Sequence, residues 1–526
     1  YDVTDDAVID ANPTEVFDAL VDEMDGKSDW WSPHRSMRLV AGDSARQVGA
    51  RVESTIHGTW DTTFTTETLE VVDGEVLRLG YVDGAFRGEG RWGFEAVDGQ
   101  TRLSYRWRTS PSGPLRLLAP VLPVRRSHSE VTRAGFRALR NQLRHRNDED
   151  QSSRVTMVAR AQVGDVVPGL ATVVVSADET LMSEGYGMAD LSTDVAMEPA
   201  TVCNWFSMTK VVTATAAMQL VERGALDLDA PVEDYYEPFA MTRPRPRGRA
   251  VSIRHLLSHS SGLANPVPLR WVHLATEQGP DRHQFVTSVL GRHRRLRFDP
   301  GTQAAYTNLG YLILGEVIEQ AAGVSFERYV HSNVLEPLGM GHTGFTADPE
   351  QRWATPHHKR SIGSRAMMPV LLPNRLIGPT VDGFRALNHF YLDGAAYGGL
   401  VGPASEAARF LRAHLRDGEL DGNRILSVDS ARAMRTMITE GPRLRVGLGW
   451  YKRDHNLASG VVEHLGGGAG FWNCMRLDAP RDRGVVILGN ATRYDHDTIA
   501  SAATRADDPL NGRRDSSSSR GDGPSS

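Results

Sequence analysis

The chain reads as two domains in tandem. The first is an N-terminal α+β unit, an antiparallel sheet around a long closing helix. The second is a C-terminal α/β unit, whose antiparallel sheet accompanies an all-helical region. Three observations predict this. Strand-like stretches up to about residue 108 are punctuated by Asp73-Gly74, Asp83-Gly84 and Asp98-Gly99 and followed by an amphipathic Arg-rich run. Asn147 to Ser153 carries no apolar residue and reads as a linker. Beyond it, strand patterns lie at both ends of a segment whose middle has helical periodicity. At 526 residues the chain exceeds one ordinary core. We therefore expect domains at 1–147 and 154–504, a linker at 148–153 and a disordered Asp/Arg/Gly/Ser-rich tail at 505–526.

In the N-terminal part, Asp5–Asp10 is a short strand, and Asn12-Pro13-Thr14-Glu15 starts a helix with proline in its first turn. After Trp30-Trp31, five alternating stretches follow: Gly49–His57, Trp60–Val72, Glu75–Tyr81, Phe86–Ala96 and Thr101–Arg108. Val124–Arg144 closes the unit as a helix. The opening Val8-Ile9-Asp10-Ala11-Asn12-Pro13-Thr14-Glu15-Val16-Phe17 and the pair Trp30-Trp31 resemble the START-like, helix-grip (SRPBCC, polyketide cyclase-like) family. That resemblance implies a binding module with an apolar ligand between sheet and helix.

Composition narrows the function classes. A net charge of −6 without a basic block argues against a nucleic-acid or anionic-membrane surface. No apolar run approaches the length of a membrane span, Leu115–Val124 being cut by Pro120 and Pro123. The two cysteines, Cys203 and Cys474, give neither a disulfide framework nor a metal spacing, and His357-His358 reads as a surface pair. No cofactor and no metal are expected. No leader is visible and cysteines are few, so a cytoplasmic location is expected, with export the alternative if a leader precedes Tyr1.

In the C-terminal part, the central stretch is Phe206-Ser207-Met208-Thr209-Lys210 with the apolar run that follows it. Its Ala content and length predict a buried helix over about Ser207–Arg223, stopped by Gly224. Ser207 then lies in the first turn, where free N–H groups favour negative charge, and Lys210 lies one turn on along the same face. A lysine desolvated in a pocket can take the proton of a serine hydroxyl, which arginine cannot. The chain uses lysine at only four of its 59 Lys and Arg positions, and one of them is here. Ser-x-x-Lys alone arises readily by chance, so partners decide. Tyr306-Thr307-Asn308 offers a phenol and an amide facing one way if locally extended. His464-Leu465-Gly466-Gly467 offers a backbone that can approach a ligand closely and supply an oxyanion N–H beside that of Ser207.

The order Ser-x-x-Lys, Tyr-x-Asn and a late Gly-rich strand resembles the serine β-lactamase-like superfamily. Class C β-lactamases, D-Ala-D-Ala carboxypeptidases and family VIII esterases are the nearest types. Ile253–Leu263, Pro300-Gly301, Glu336-Pro337-Leu338-Gly339-Met340 and Gly398-Gly399-Leu400 carry the same resemblance. It implies Ser207 as acylated nucleophile, Lys210 and Tyr306 as base and proton relay, and Asn308 as a substrate and lysine contact. It also places His464, Gly466 and Gly467 on the substrate-binding strand, Gly467 giving the second oxyanion N–H. His464 stands where a lysine is usual and would hold a carboxylate less firmly. His259, in the Ser-His-Ser-Ser-Gly-Leu turn, reads as structural. The expected activity is serine hydrolysis of a small-molecule carboxylic ester or amide. The alternatives are a D-amino-acid peptidase or β-lactamase-type amidase, and a binding or scaffold protein whose catalytic site has decayed.

Overall fold

The computed structural model describes residues 1–504 apart from 33, 58–60, 98, 114–115, 117–123, 243–247, 269, 349, 361–367, 369–371 and 454–459, with 141 and 144–150 described by backbone alone. The tail expected at 505–526 lies outside the described residues. The chain divides into two compact units, Tyr1–Asp150 and Gln151–Ser526.

The first unit is a seven-stranded antiparallel sheet. Its strands are β1 (Asp2–Ile9), β2 (Arg35–Ala41), β3 (Arg51–Ile56), β4 (Thr62–Val72), β5 (Val76–Gly84), β6 (Phe86–Val97) and β7 (Gln100–Pro111), in the order β1-β7-β6-β5-β4-β3-β2. Helix α1 (Pro13–Met24) starts as expected, with Asn12 and Glu15 forming a reciprocal capping box. Strand β2 was not anticipated, because Arg-Ser-Met-Arg-Leu-Val-Ala does not alternate cleanly. The inner face of the sheet and helix α2 (Val124–Arg160) enclose Phe17, Trp31, Trp92, Tyr105, Trp107 and Phe136. These rings pack on one another, Trp31 and Phe136 each edge-on to Trp92 at 6.0 and 6.1 Å, where an apolar ligand was expected. Trp31 donates to the Val131 carbonyl (3.1 Å), and its indole needs Gly135, where a Cβ would lie 2.2 Å from the ring.

Helix α2 corrects the linker. Residues 148–153 are helical, inside a run to Arg160. Polarity marked the segment as solvated, but no Gly or Pro occurs from Phe136 to Val163, so nothing stops the helix.

The second unit has a nine-stranded sheet drawn from both its ends. Strands β8 (Gly169–Val175), β9 (Thr180–Asp190) and β10 (Val195–Ala196) come early; β11 (Thr439–Gly441), β12 (Leu444–Val446), β13 (Tyr451–Arg453), β14 (Val461–Gly468), β15 (Phe471–Asp478) and β16 (Arg483–Gly489) come late. The order is β10-β9-β8-β16-β15-β14-β13-β12-β11, so the first and last segments pair at β8/β16. Both faces of the central strands are covered, which explains their unbroken apolar text. Val173, Val175, Met475 and Leu488 face the helical region, whereas Val174, Cys474 and Ile487 face Val155, Ala159 and the helix His496–Thr504. His357, read as half of a surface pair, is 1% exposed, since its short strand pairs with Phe384–Leu387. Among the described residues no helix is long and apolar enough to cross a membrane, and no cluster of three His, Cys, Asp or Glu could hold a metal.

Candidate active site

Three elements converge on Ser207. The first is a single 3₁₀ turn, Phe206–Met208, that leads into helix α3 (Thr209–Glu222). Phe206 has φ 50°, a left-handed conformation rare for a bulky residue. It turns the chain sharply, so that Ser207 begins the helix. The ring of Phe206 is held against Phe390 and Phe471, each at 6.2 Å between centroids. The expected helix thus begins two residues later than its text suggested, and Ser207 sits in the tighter turn.

Lys210 is completely buried. Its Nζ lies 2.9 Å from Ser207 Oγ, 2.9 Å from Asn308 Oδ1 and 2.6 Å from the Tyr397 carbonyl oxygen. Burial pushes the amine well below its usual range, and no carboxylate pairs with it among the described residues. A neutral amine has two N–H groups and one lone pair. Asn308 Oδ1 and the Tyr397 carbonyl can only accept, so they take both N–H groups. The lone pair is then left to the Ser207 hydroxyl. The Tyr306, Tyr397 and Tyr311 rings lie 5.0, 5.4 and 5.6 Å from Nζ and keep water from it.

The second element is the start of helix α4 (Asn308–Ala322). Thr307 is its N-cap, so Asn308 is the first helical residue rather than part of an extended Tyr-x-Asn strand. The expected convergence survives by another route, with Asn308 on Lys210 and Tyr306 on Ser207. Burial raises the Tyr306 phenol, and the nearby Ser207 hydroxyl only partly offsets this. Tyr306 therefore keeps its proton at working pH and suits a relay better than a base. His259, 0% exposed with φ 52°, accepts at Nδ1 from the Thr307 N–H (3.2 Å) and packs its ring 4.4 Å from that of Tyr306. It positions the segment, in keeping with its structural reading.

The third element is β14. A Cβ at Gly466 would lie 2.0 Å from the Trp205 carbonyl oxygen, and one at Gly468 would lie 1.9 Å from the Phe206 ring. Glycine is what lets this strand lie against the Ser207 turn. Leu465 N–H donates to the Tyr451 hydroxyl (2.8 Å), away from β15. Two residues on, the Gly467 N–H points to the same edge, where β13 pairs only through Tyr451 and Glu463. His464 does not reach the cavity. It is 0% exposed, its Nδ1 bonds to the Leu465 carbonyl (2.9 Å), and burial beside Lys210 pushes it down to about 3. A neutral ring packed 4.6 Å from Tyr451 and 6.3 Å from Tyr306 supports those phenols and does not present itself to a carboxylate.

These elements border a cavity of about 630 Å³ lined by Ser207, Tyr306 and Gly467, with walls from Ala304, Leu444, Leu465, Tyr451 and Trp472. Sequence reasoning missed the Tyr397 carbonyl, because a backbone acceptor has no residue signature, although Gly398-Gly399-Leu400 had marked the place. It also missed Arg443 and Leu444, which come from a hairpin with no motif.

A buried lysine and a serine at the mouth of such a cavity define the active-serine hydrolase class. Residues 155–507 match the Beta-lactamase family, and residues 1–144 match the family of polyketide cyclase / dehydrase and lipid transport. The chain belongs to the β-lactamase-fold family of serine hydrolases, carried behind a polyketide cyclase-like domain. Penicillin-binding protein 4 of Amycolatopsis lactamdurans is 33% identical over 279 residues, 52% of this chain and 66% of that protein. Protein Rv1367c of Mycobacterium tuberculosis is 30% identical over 320 residues, 56% of this chain and 75% of that protein. Among solved structures, EstCE1, a hydrolase with promiscuous acyltransferase activity, aligns with TM-score 0.55 at 21% identity over 68% of this chain and 98% of that one. The D-amino acid amidase of Ochrobactrum anthropi SV3 aligns with TM-score 0.55 at 22% identity over 69% and 100%.

Proposed function

We propose that the C-terminal unit hydrolyses carboxylic esters, and secondarily amides, through an acyl-enzyme on Ser207. The observation that carries this is the fully buried Lys210 Nζ, 2.9 Å from the Ser207 hydroxyl and held by the Asn308 and Tyr397 acceptors, which leave its lone pair to that hydroxyl once burial has removed the proton. Lys210 takes the Ser207 proton as Oγ attacks the carbonyl carbon. The oxygen becomes an oxyanion, stabilised by the N–H groups of Ser207 and Gly467. Tyr306 hands a proton to the leaving group and regains one from protonated Lys210, so the amine is neutral again when water attacks the ester on Ser207 with Lys210 as base. Esters rank first because alcohols leave more readily than amines and because neutral His464 offers a peptide carboxylate no cation.

The test is acylation of the full chain by a fluorophosphonate and by p-nitrophenyl acetate. Labelling that vanishes in Ser207→Ala supports the proposal. Absence of labelling in the native chain, or equal labelling in the variant, would leave the decayed scaffold as the reading.

A further inference from the structure

The wall of the Ser207 cavity carries one cation, Arg443, that no described residue neutralises. Among the described residues two arginines line the cavity, Arg443 and Arg453, and no Asp or Glu does. Arg453 is committed elsewhere: it donates to Glu463 and Asp497, and Arg476 joins the same pair of carboxylates. That network balances two cations with two anions. Arg443 has no ion-pair or hydrogen-bond partner among the described residues, and it is exposed.

Its place is not accidental to the site. Arg443 lies in the two-residue connection, Pro442-Arg443, between β11 and β12. That hairpin is stitched to the segment that delivers Tyr306. Ala304 N–H donates to the Glu440 carbonyl (3.0 Å), and a Cβ at Gly441 would lie 2.1 Å from the Ala304 carbonyl oxygen. The guanidinium is thus carried on a braced hairpin at the rim of a cavity that Ala304, Leu444, Leu465 and Trp472 make largely apolar.

We propose that Arg443 sets substrate specificity: the preferred ester carries a negatively charged group at the end away from the scissile carbonyl, and an apolar spacer between them. This rests on the hydrolase reading of Ser207. Charge at a partly solvated rim favours encounter and orientation of an anion and is damped by salt.

The experiment compares kcat/KM for three p-nitrophenyl esters of matched length, after subtraction of spontaneous hydrolysis. They are mono-p-nitrophenyl glutarate (anionic), p-nitrophenyl pentanoate (neutral) and p-nitrophenyl 4-(trimethylammonio)butanoate (cationic). The expected result is a preference for the anionic over the neutral ester of about three- to tenfold at low salt, shrinking as NaCl is added. Arg443→Gln removes that ratio, and Arg443→Glu inverts it in favour of the cationic ester. A ratio near one in the native protein, or one that Arg443→Glu leaves unchanged, overturns the assignment while the hydrolase reading stands. No acylation of Ser207 by any of the three overturns both.

Discussion

Replacing Lys210 by methionine, similar in length and without a titratable group, separates the lysine's chemical role from its cost to folding. In the unfolded chain a lysine binds its proton up to its ordinary value near 10.5, whereas burial holds the folded amine well below that. Between the two values the unfolded state binds one proton more than the folded state. The contribution of Lys210 to stability therefore rises with pH, by about 1.4 kcal/mol per pH unit. From about pH 8 to about pH 9.5, native stability should gain about 2 kcal/mol on that of Lys210→Met. The assay can be confined to this unit, because the chain's two cysteines, Cys203 and Cys474, are both buried in it. Burial raises both thiols, that of Cys474 to about 12, so in the folded state they are poor nucleophiles. Thiol labelling along a urea series at each pH reports unfolding of the unit, and the alkaline change in thiol reactivity cancels between the two proteins. Acylation should fall by about 10²- to 10⁴-fold in the variant. A stability difference that stays constant within about 0.5 kcal/mol across that range would refute the neutral-amine argument, whatever happened to activity.

The remaining expectations use the same geometry. Tyr306→Phe should lower kcat/KM for p-nitrophenyl acetate by about 10²-fold while leaving the pH at which activity rises unchanged, since that rise belongs to Lys210; a shifted rise would move the base role to the phenol. Gly466→Ala should destabilise the unit by about 1–3 kcal/mol and lower acylation, because the new methyl meets the Trp205 carbonyl rather than a movable side chain; native labelling and native urea midpoint together would contradict the close approach. Burial pushes His414 down to about 3 from 6.5, so the stability it confers is lost as pH falls from 6.5 towards 3. His414→Leu should flatten the acid slope of the urea midpoint by about 1.4 kcal/mol per pH unit, and an unchanged slope would show that the ring is protonated in the folded state.

What the sequence could reveal depended on whether chemistry was written in side-chain types. Ser207 and Lys210 were legible as one helix face, Tyr306 and Asn308 through the resemblance of the ordered motifs to a known family, and the structure brings all four to one place. His464 was legible as a position but not as an environment: only the packing of Tyr306 and Tyr451 shows that its ring is buried and neutral. The linker was legible as a boundary but not as a helix. A polar heptapeptide marks where two cores end, and the unit boundary does fall inside it, but polarity does not decide whether the backbone stays helical. Strand β2 and the Pro442-Arg443 hairpin were silent because the one does not alternate cleanly and the strands of the other are too short to show a period.

The pairing of β8 with β16 has a consequence for how the protein is born. The serine turn and its lysine leave the ribosome well before strand β14, which supplies the Gly467 amide, and before β15 and β16, which link it to β8. Newly made Ser207 and Lys210 therefore wait, solvated and with the lysine protonated, until the closing strands arrive. The site is thereby completed only when the late strands have joined the early ones.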